Sequence, residues 1–397
     1  MSENSDVGLK VGIEIHCQLD TRNKLFCACP TRLSVEKPET VFLRRLRPTQ
    51  SELGQVDPAS MFEFQKGREV AYEADCDTAC LVEMDEEPPH NLNDEAIDVV
   101  LMIGLLMNLK PVDEIHVMRK VVIDGSNTTG FQRTAAIGLD GFLEISGKKV
   151  PVQHISLEED AARKTGEAGM TVNYRIDRLG IPLVEVATGP VINSPGEAEE
   201  TAFAIGRLLK ATGKVKRGLG TIRQDLNIST RQGALVEVKG VQKLYLISRV
   251  VELEVKRQHE LIRIRDELVG RGLNEEDIPE YSVDVTDIFS KTQCKVIKTP
   301  LSRGGVVNAI KLPKFSGLLK RELMPGVRLG SELSRRAIFA GKVGGIFHSD
   351  ELPAYGITRE ELDATRKRVN AQDLDAVVLV ADQFENVKDA LKAVADR

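Results

Sequence analysis

Long apolar runs are missing from this chain. The longest, Ala96 to Met107, is too short to span a bilayer and ends in Asn-Leu-Lys-Pro, so it reads as a buried helix. A membrane role through a spanning helix is thereby excluded. Met1 to Asp6 is polar and acidic with no apolar core, which argues against a signal peptide and for the cytoplasm. A positive balance is missing too. Net charge is −6, so overall charge gives no support to nucleic-acid binding. Arg44-Arg45-Leu46-Arg47 and Lys214-Val215-Lys216-Arg217 are local basic clusters that by themselves read as solvated loops. Tryptophan is absent and aromatics are few, in an otherwise ordinary soluble composition. No internal repeat or low-complexity segment occurs. Several chemical signatures are also absent: G-x-x-x-x-G-K-[ST], a kinase-type glycine loop, G-x-S-x-G and H-E-x-x-H. A P-loop reading therefore fails. Gly218-Leu219-Gly220-Thr221 could approach a phosphate, but it reads equally well as a tight turn before a strand.

What is present begins near the start. In Gly8 to Asp20, Val11, Ile13, Ile15, Cys17 and Leu19 alternate with Gly12, Glu14, His16, Gln18 and Asp20, the pattern of a strand with one greasy and one polar face. On this stretch alone a solvent-facing strand explains the polar residues. A hard divalent cation on a phosphate-bearing substrate would also want such ligands. Six cysteines in a cytosolic protein do not read as disulfides. Cys27-x-Cys29 and Cys76-x-x-x-Cys80 form two close pairs, read either as a structural zinc site or as four reduced thiols.

At 397 residues the chain has room for two or three domains. Strand and turn signals dominate 115–190, with a hairpin at Ser146-Gly147. Ser194, Pro195 and Glu197 predict a helix start, and a long charged helix is expected near 248–269. Residues 273–282 look like a linker. After it come expected strands near 295–298 and 306–311, a helix after Ser331, a Thr358/Glu361 capping box, a strand at 376–380 and a last helix.

Acidic residues recur on apolar strands: Glu14 with His16, Glu158-Glu159-Asp160, Glu185 within Leu183–Ala187, and Asp225 between Arg223 and Asn227. Glu185 is the hardest to dismiss, because a buried charge needs a partner. Several carboxylates on one sheet with Arg223 nearby would suit magnesium-ATP phosphoryl transfer. From spacing, the chain reads as a metal-dependent, nucleotide-using enzyme on a mixed sheet; a metal-dependent hydrolase fits the acidic faces as well.

Val11–Leu19 with Lys24–Pro30 resembles the opening motif of the B/E family of tRNA-dependent amidotransferase subunits. Ile155–Ala161, Asp177–Glu185 and Arg223–Ser229 match its other motifs, and Gly344–Pro353 looks like the inserted module shared with bacterial-type aspartyl-tRNA synthetases. That module points to the archaeal E-type branch of the family. The resemblance implies an α+β fold: a large mixed or antiparallel-sheet cradle like that of glutamine synthetase over 1–280, and the inserted α+β module over 283–397. It implies a ligase that uses ATP and Mg2+ to phosphorylate the γ-carboxylate of tRNA-bound glutamate. Ammonia from an asparaginase-like D-type partner then gives Gln-tRNA(Gln), in a heterodimer or dimer of heterodimers. The positions matching the family's magnesium ligands are Glu14, His16, Glu158 and Glu185. Glu159, Asp225 and Arg223 come second, for another metal or for phosphate charge. Cys27, Cys29, Cys76 and Cys80 sit where some members carry zinc, usually with C-x-x-C as the second pair. The family's helical and tail domains, which grip tRNA, are not found before Arg397. A fragment or short form is the expectation, with an inactive scaffold that only docks partner and tRNA as the alternative.

Overall fold

The alternation near the start is realised as a nine-residue strand, β1 (Lys10–Gln18), whose Val11, Ile13, Ile15 and Cys17 are fully buried. The structure, a computed structural model, describes residues 7–35, 38–48, 50, 53–279 and 281–397. The polar start Met1–Asp6 and Glu280, at the expected domain boundary, lie outside the described residues.

The chain divides into two compact units, Met1–Arg231 with Leu235–Val251, and Gln232–Ala234 with Glu252–Arg397. In chain order the first holds β1, β2 (Thr40–Arg44), α1 (Pro58–Gln65), β3 (Glu69–Ala74), α2 (Asp94–Leu106), β4 (Lys110–Pro111) and β5 (Val117–Val121). It continues with β6 (Phe131–Ile145), β7 (Lys148–Glu159), β8 (Arg163–Ala168), β9 (Thr171–Arg175), β10 (Pro182–Thr188), α3 (Pro195–Ala211), β11 (Ile222–Ser229), β12 (Val236–Val241) and the start of α4 (Ile247–Gly270).

One eight-stranded sheet runs β12-β11-β1-β10-β7-β6-β4, with β5 also on β6, and all its pairings are antiparallel. A second sheet, β2-β3-β9-β8, includes one parallel pair, β3 with β9. Ser146 and Gly147, at φ 49° and 78°, make the two-residue turn between β6 and β7 that the sequence predicts. Helices α2 and α3 pack on the large sheet. The α3 start follows its sequence signal: Pro195 occupies the first turn, and the Ser194 hydroxyl accepts from the Glu197 N–H at 3.2 Å. Helix α2 departs from expectation. It buries Ala96, Val99, Val100 and Ile103 but leaves Met102, Leu105 and Leu106 exposed, so only one face of the apolar run is covered.

The second unit contains the rest of α4, then β13 (Val283–Asp284), α5 (Lys295–Leu301), β14 (Val306–Leu312), β15 (Glu322–Met324) and β16 (Val327–Arg328). It ends with α6 (Leu329–Gly341), β17 (Phe347–His348), α7 (Arg359–Arg368), β18 (Ala376–Asp382) and α8 (Phe384–Ala395). Its main sheet is the antiparallel β13-β14-β18-β17. The division falls inside α4, ahead of the linker-like 273–282, because Ile264 and Leu268 join the core of Leu329, Leu333 and Val378. The expected strand near 295–298 is instead helix α5. Its β-branched Val296-Ile297 pair suggests a strand, but only Ile297 enters the core, beside Val307 and Leu379, while Val296 stays exposed. Both units combine helices with largely antiparallel sheets, which is the α+β class.

Candidate active site

Strand register gathers the acidic motifs. His16 lies opposite Arg223 on β11 and opposite Glu185 on β10, and Glu14 lies opposite Asp225. Glu158 on β7 pairs with Leu183, one diagonal step from Glu185. Because side chains alternate across a sheet, Glu14, His16, Glu158, Glu185, Arg223 and Asp225 all project from one face. The other face carries the aliphatic residues.

His16 is the hub. Its Nδ1 is 3.6 Å from Glu158 Oε2 and 3.7 Å from Glu185 Oε2, and its Nε2 is 3.8 Å from Asp225 Oδ2. Two ligand groups meet on it, Glu14–His16–Asp225 and His16–Glu158–Glu185, each with donor atoms close enough to hold one ion. A shell of neutral donors fixes the carboxylates. Thr134 Oγ1 donates to Glu158 (2.9 Å), Asn227 Nδ2 to Glu14 (2.9 Å), and the Gly240 N–H to Asp225 (2.7 Å). His154 Nε2 is 3.2 Å from Glu185, and Lys120 Nζ reaches Glu158 at 3.7 Å and Glu185 at 3.9 Å. Four carboxylates so close together, Glu158 only 2 % exposed, repel one another unless cations share the face. An oxygen-rich set with one imidazole suits a hard divalent ion.

Burial works to lower the His16 pKa, but the hydrogen bond to Glu158 and the charges of Glu185, Glu158 and Asp225 outweigh it, so it is raised. Burial works to raise the Glu158 pKa, and the His16 hydrogen bond, Lys120 and Thr134 bring it below its usual value instead. The His16 contribution to stability is complete below the usual histidine pKa and is lost as pH rises through the raised one. The Glu158 contribution is complete above the usual glutamate pKa and is lost as pH falls through the lowered one. Without divalent ions, the pair therefore stabilises the fold fully between about pH 4.3 and 6.5. His16→Gln should abolish the alkaline part of the melting-temperature profile; an unchanged profile would show that the imidazole carries no charge there.

Asp160, just beyond β7, is fully buried and plays a part that its position in the acidic run does not reveal. It accepts from Gln18 Nε2 at 2.6 Å and from Arg223 at 3.1 Å, and lies 3.7 Å from Arg178. It thus anchors Arg223 at the border of the carboxylate face. Glu159 is not brought to that face. Alternation turns it inward, where Arg133 holds it through the backbone N–H at 3.1 Å and the guanidinium at 3.0 Å. Sequence reasoning misses Lys120, His154, Thr134 and Asn227 as members of the site. For the histidine a signal is available: the period-two count back from Glu158 reaches His154.

The cysteines gather differently from their spacing. Cys27, Cys29 and Cys80 converge with Glu83 into a group that could hold a metal, while Cys76 is exposed and its backbone N–H donates to Glu39 at 3.2 Å. The Cys27 thiol donates to Glu83 at 2.7 Å, and the Cys80 N–H donates to the other oxygen at 2.8 Å. Cys80 and Glu83 stand three residues apart on one turn and face the first cysteine pair together, so Glu83 takes the place expected for Cys76.

Comparison with known proteins gives the family. The family described as GatB/GatE catalytic domain matches residues 9–369. The glutamyl-tRNA(Gln) amidotransferase E subunit of Aeropyrum pernix is 56 % identical over 393 residues, covering 98 % of this chain and 61 % of the relative. The E subunit of Methanocaldococcus jannaschii is 53 % identical, covering 98 % and 62 %, and that of Pyrococcus furiosus is 55 % identical, covering 99 % and 62 %. The chain thus spans about three-fifths of the length of these relatives, 61–62 %. It belongs to the GatB/GatE family, on the side of the archaeal E-type proteins.

Proposed function

We propose that this chain is the carboxylate-activating part of a glutamyl-tRNA(Gln) amidotransferase, a carbon–nitrogen ligase of the cytoplasm. The observation that supports it best is the meeting of two acidic ligand groups on His16, with Arg223 fixed beside them. A carboxylate is a poor electrophile, and making it an acyl phosphate supplies a leaving group. The γ-carboxylate oxygen of glutamate on tRNA(Gln) attacks the γ-phosphorus of ATP, and ADP leaves. Ammonia then attacks the acyl carbon, inorganic phosphate departs, and a proton is lost to give Gln-tRNA(Gln). Glu14, His16, Glu158 and Glu185 would hold Mg2+, with Asp225 completing the second group; the ion would neutralise charge on the phosphates. Arg223 and Lys120 steady phosphate oxygens, while Thr134 and Asn227 keep Glu158 and Glu14 aimed. Ammonia would come from an asparaginase-like D-type partner in a heterodimer or a dimer of heterodimers.

Cys27, Cys29, Cys80 and Glu83 would hold a structural Zn2+, a three-sulfur, one-oxygen set. Residues 283–397 would form the aspartyl-tRNA synthetase-like module, and residues 1–280 the cradle. In the enzyme assembled with its partner, ADP formation should require magnesium and Glu-tRNA(Gln), and conversion to Gln-tRNA(Gln) should require the amide donor as well. Turnover without tRNA would point to a hydrolase instead, and binding of partner and tRNA with no ADP at all would point to a docking scaffold.

A further inference from the structure

The glycine cluster and the basic run before it take no part in the carboxylate face, yet they border a cavity of about 390 Å³. Its other walls are the C-terminal half of α3 and the chain following β12. Gln224 lines it and alternates with Arg223 and Asp225, so it projects from the opposite side of the sheet. Three observations point to a ligand. Arg207, Lys210 and Arg217 line the cavity, and among the described residues no carboxylate pairs with any of them or lines the cavity with them. Gln224 is 3 % exposed, and its side-chain carbonyl oxygen has no hydrogen-bond partner, which a buried amide does not tolerate without cost. Phe203 offers a half-exposed ring with the Arg207 guanidinium 5.7 Å from its centroid. Gly206 leaves the floor open: a Cβ there would meet nothing within 4 Å.

We propose that this cavity is a second nucleotide site, distinct from the carboxylate face, which takes a nucleoside phosphate. The base lies against Phe203 and gives an N–H to the Gln224 carbonyl, while Arg207, Lys210 and Arg217 hold the phosphate. An inorganic anion would leave Gln224 and the aromatic ring unused. Free nucleotide and a nucleotide of single-stranded RNA present the same chemistry.

The test is equilibrium binding to the full chain without magnesium, using AMP, inorganic phosphate and a five-nucleotide single-stranded RNA. AMP or the RNA should bind well above phosphate, in a salt-sensitive manner. Gly206→Leu, which fills the floor, and Arg217→Ala should each weaken binding about tenfold or more. Glu185→Gln should leave it unchanged. Gly206→Ala, whose Cβ enters open space, should melt no lower than the parent and serves as the folding control. RNA binding about tenfold tighter than AMP assigns the site to an RNA strand, and equal or weaker RNA binding assigns it to free nucleotide. The proposal is overturned if neither AMP nor RNA binds, if phosphate binds as well as they do, or if Gly206→Leu changes nothing while folded.

Discussion

On the proposed function, Glu185→Gln is expected to lower ATP-dependent amidation by at least about a thousandfold in the assembled enzyme, with the fold intact. Glutamine has the same shape and can still meet His154, which sits 3.2 Å from Glu185 Oε1. It removes the negative charge that faces His16 and Lys120. If the cluster holds magnesium, losing one anionic ligand from the His16–Glu158–Glu185 group weakens the ion and the phosphate charge that it offsets. The site gains no strain, because Glu185 faces Ser156 and His16 across the strands and nothing bulky is added. The checks are single-turnover ADP formation and calorimetric magnesium binding, beside a melting curve. Magnesium affinity should fall in parallel with rate. A variant that keeps full rate and full magnesium binding would remove Glu185 from the site. A comparable change at Glu159 is expected to act through folding instead, since that carboxylate is held by Arg133 on the other face.

The difference between Glu158 and Glu159 shows what a sequence can and cannot disclose. Period-two alternation in β1 and β11 is legible, and so is the need of Glu185 for a partner inside an apolar strand. Those patterns fix which face each residue occupies on its own strand. They do not fix which strands are neighbours. The adjacency of β1 with β10 joins segments about 170 residues apart, and that of β10 with β7 segments about 30 apart; loop closure carries no local signature. Side-chain donors such as Thr134 and Lys120 are invisible for that reason, because they come from strands with no acidic motif. The same limit explains the cysteines. Spacing suggests two pairs, but Glu83 lies nearer the thiols than Cys76 does because the turn after Cys80 folds it back. Helix α5 shows the opposite failure: local β-branching is visible, and burial of one residue rather than an alternating set overrides it.

Lys24→Met should destabilise the first unit by about 3–5 kcal/mol when no metal is bound. Lys24 is fully buried, with its ammonium 3.5 Å from Glu83 Oε1 and 3.3 Å from the Ile176 carbonyl, to which it donates. Burial works to raise the Glu83 pKa, but the Lys24 charge and the hydrogen bonds of Cys27 and Cys80 keep it below its ordinary value. Methionine fills similar space and removes the only cation within ion-pairing distance of that carboxylate among the described residues. An unpaired buried anion is then left beside three thiols. Zinc would not remove the need for Lys24. Binding on Cys27, Cys29, Cys80 and Glu83 releases the thiol protons, and three thiolates with one carboxylate outweigh the charge of a divalent ion. Its binding still adds to folding stability by mass action. Urea unfolding of parent and variant, once with chelator and once with equimolar zinc, should therefore show the parent stabilised by zinc and the variant the weaker in both conditions. No stabilisation of the parent by zinc would mean that zinc does not sit at this cluster, and a loss below about 1 kcal/mol without metal would mean that the Glu83 charge is relieved by water rather than by Lys24.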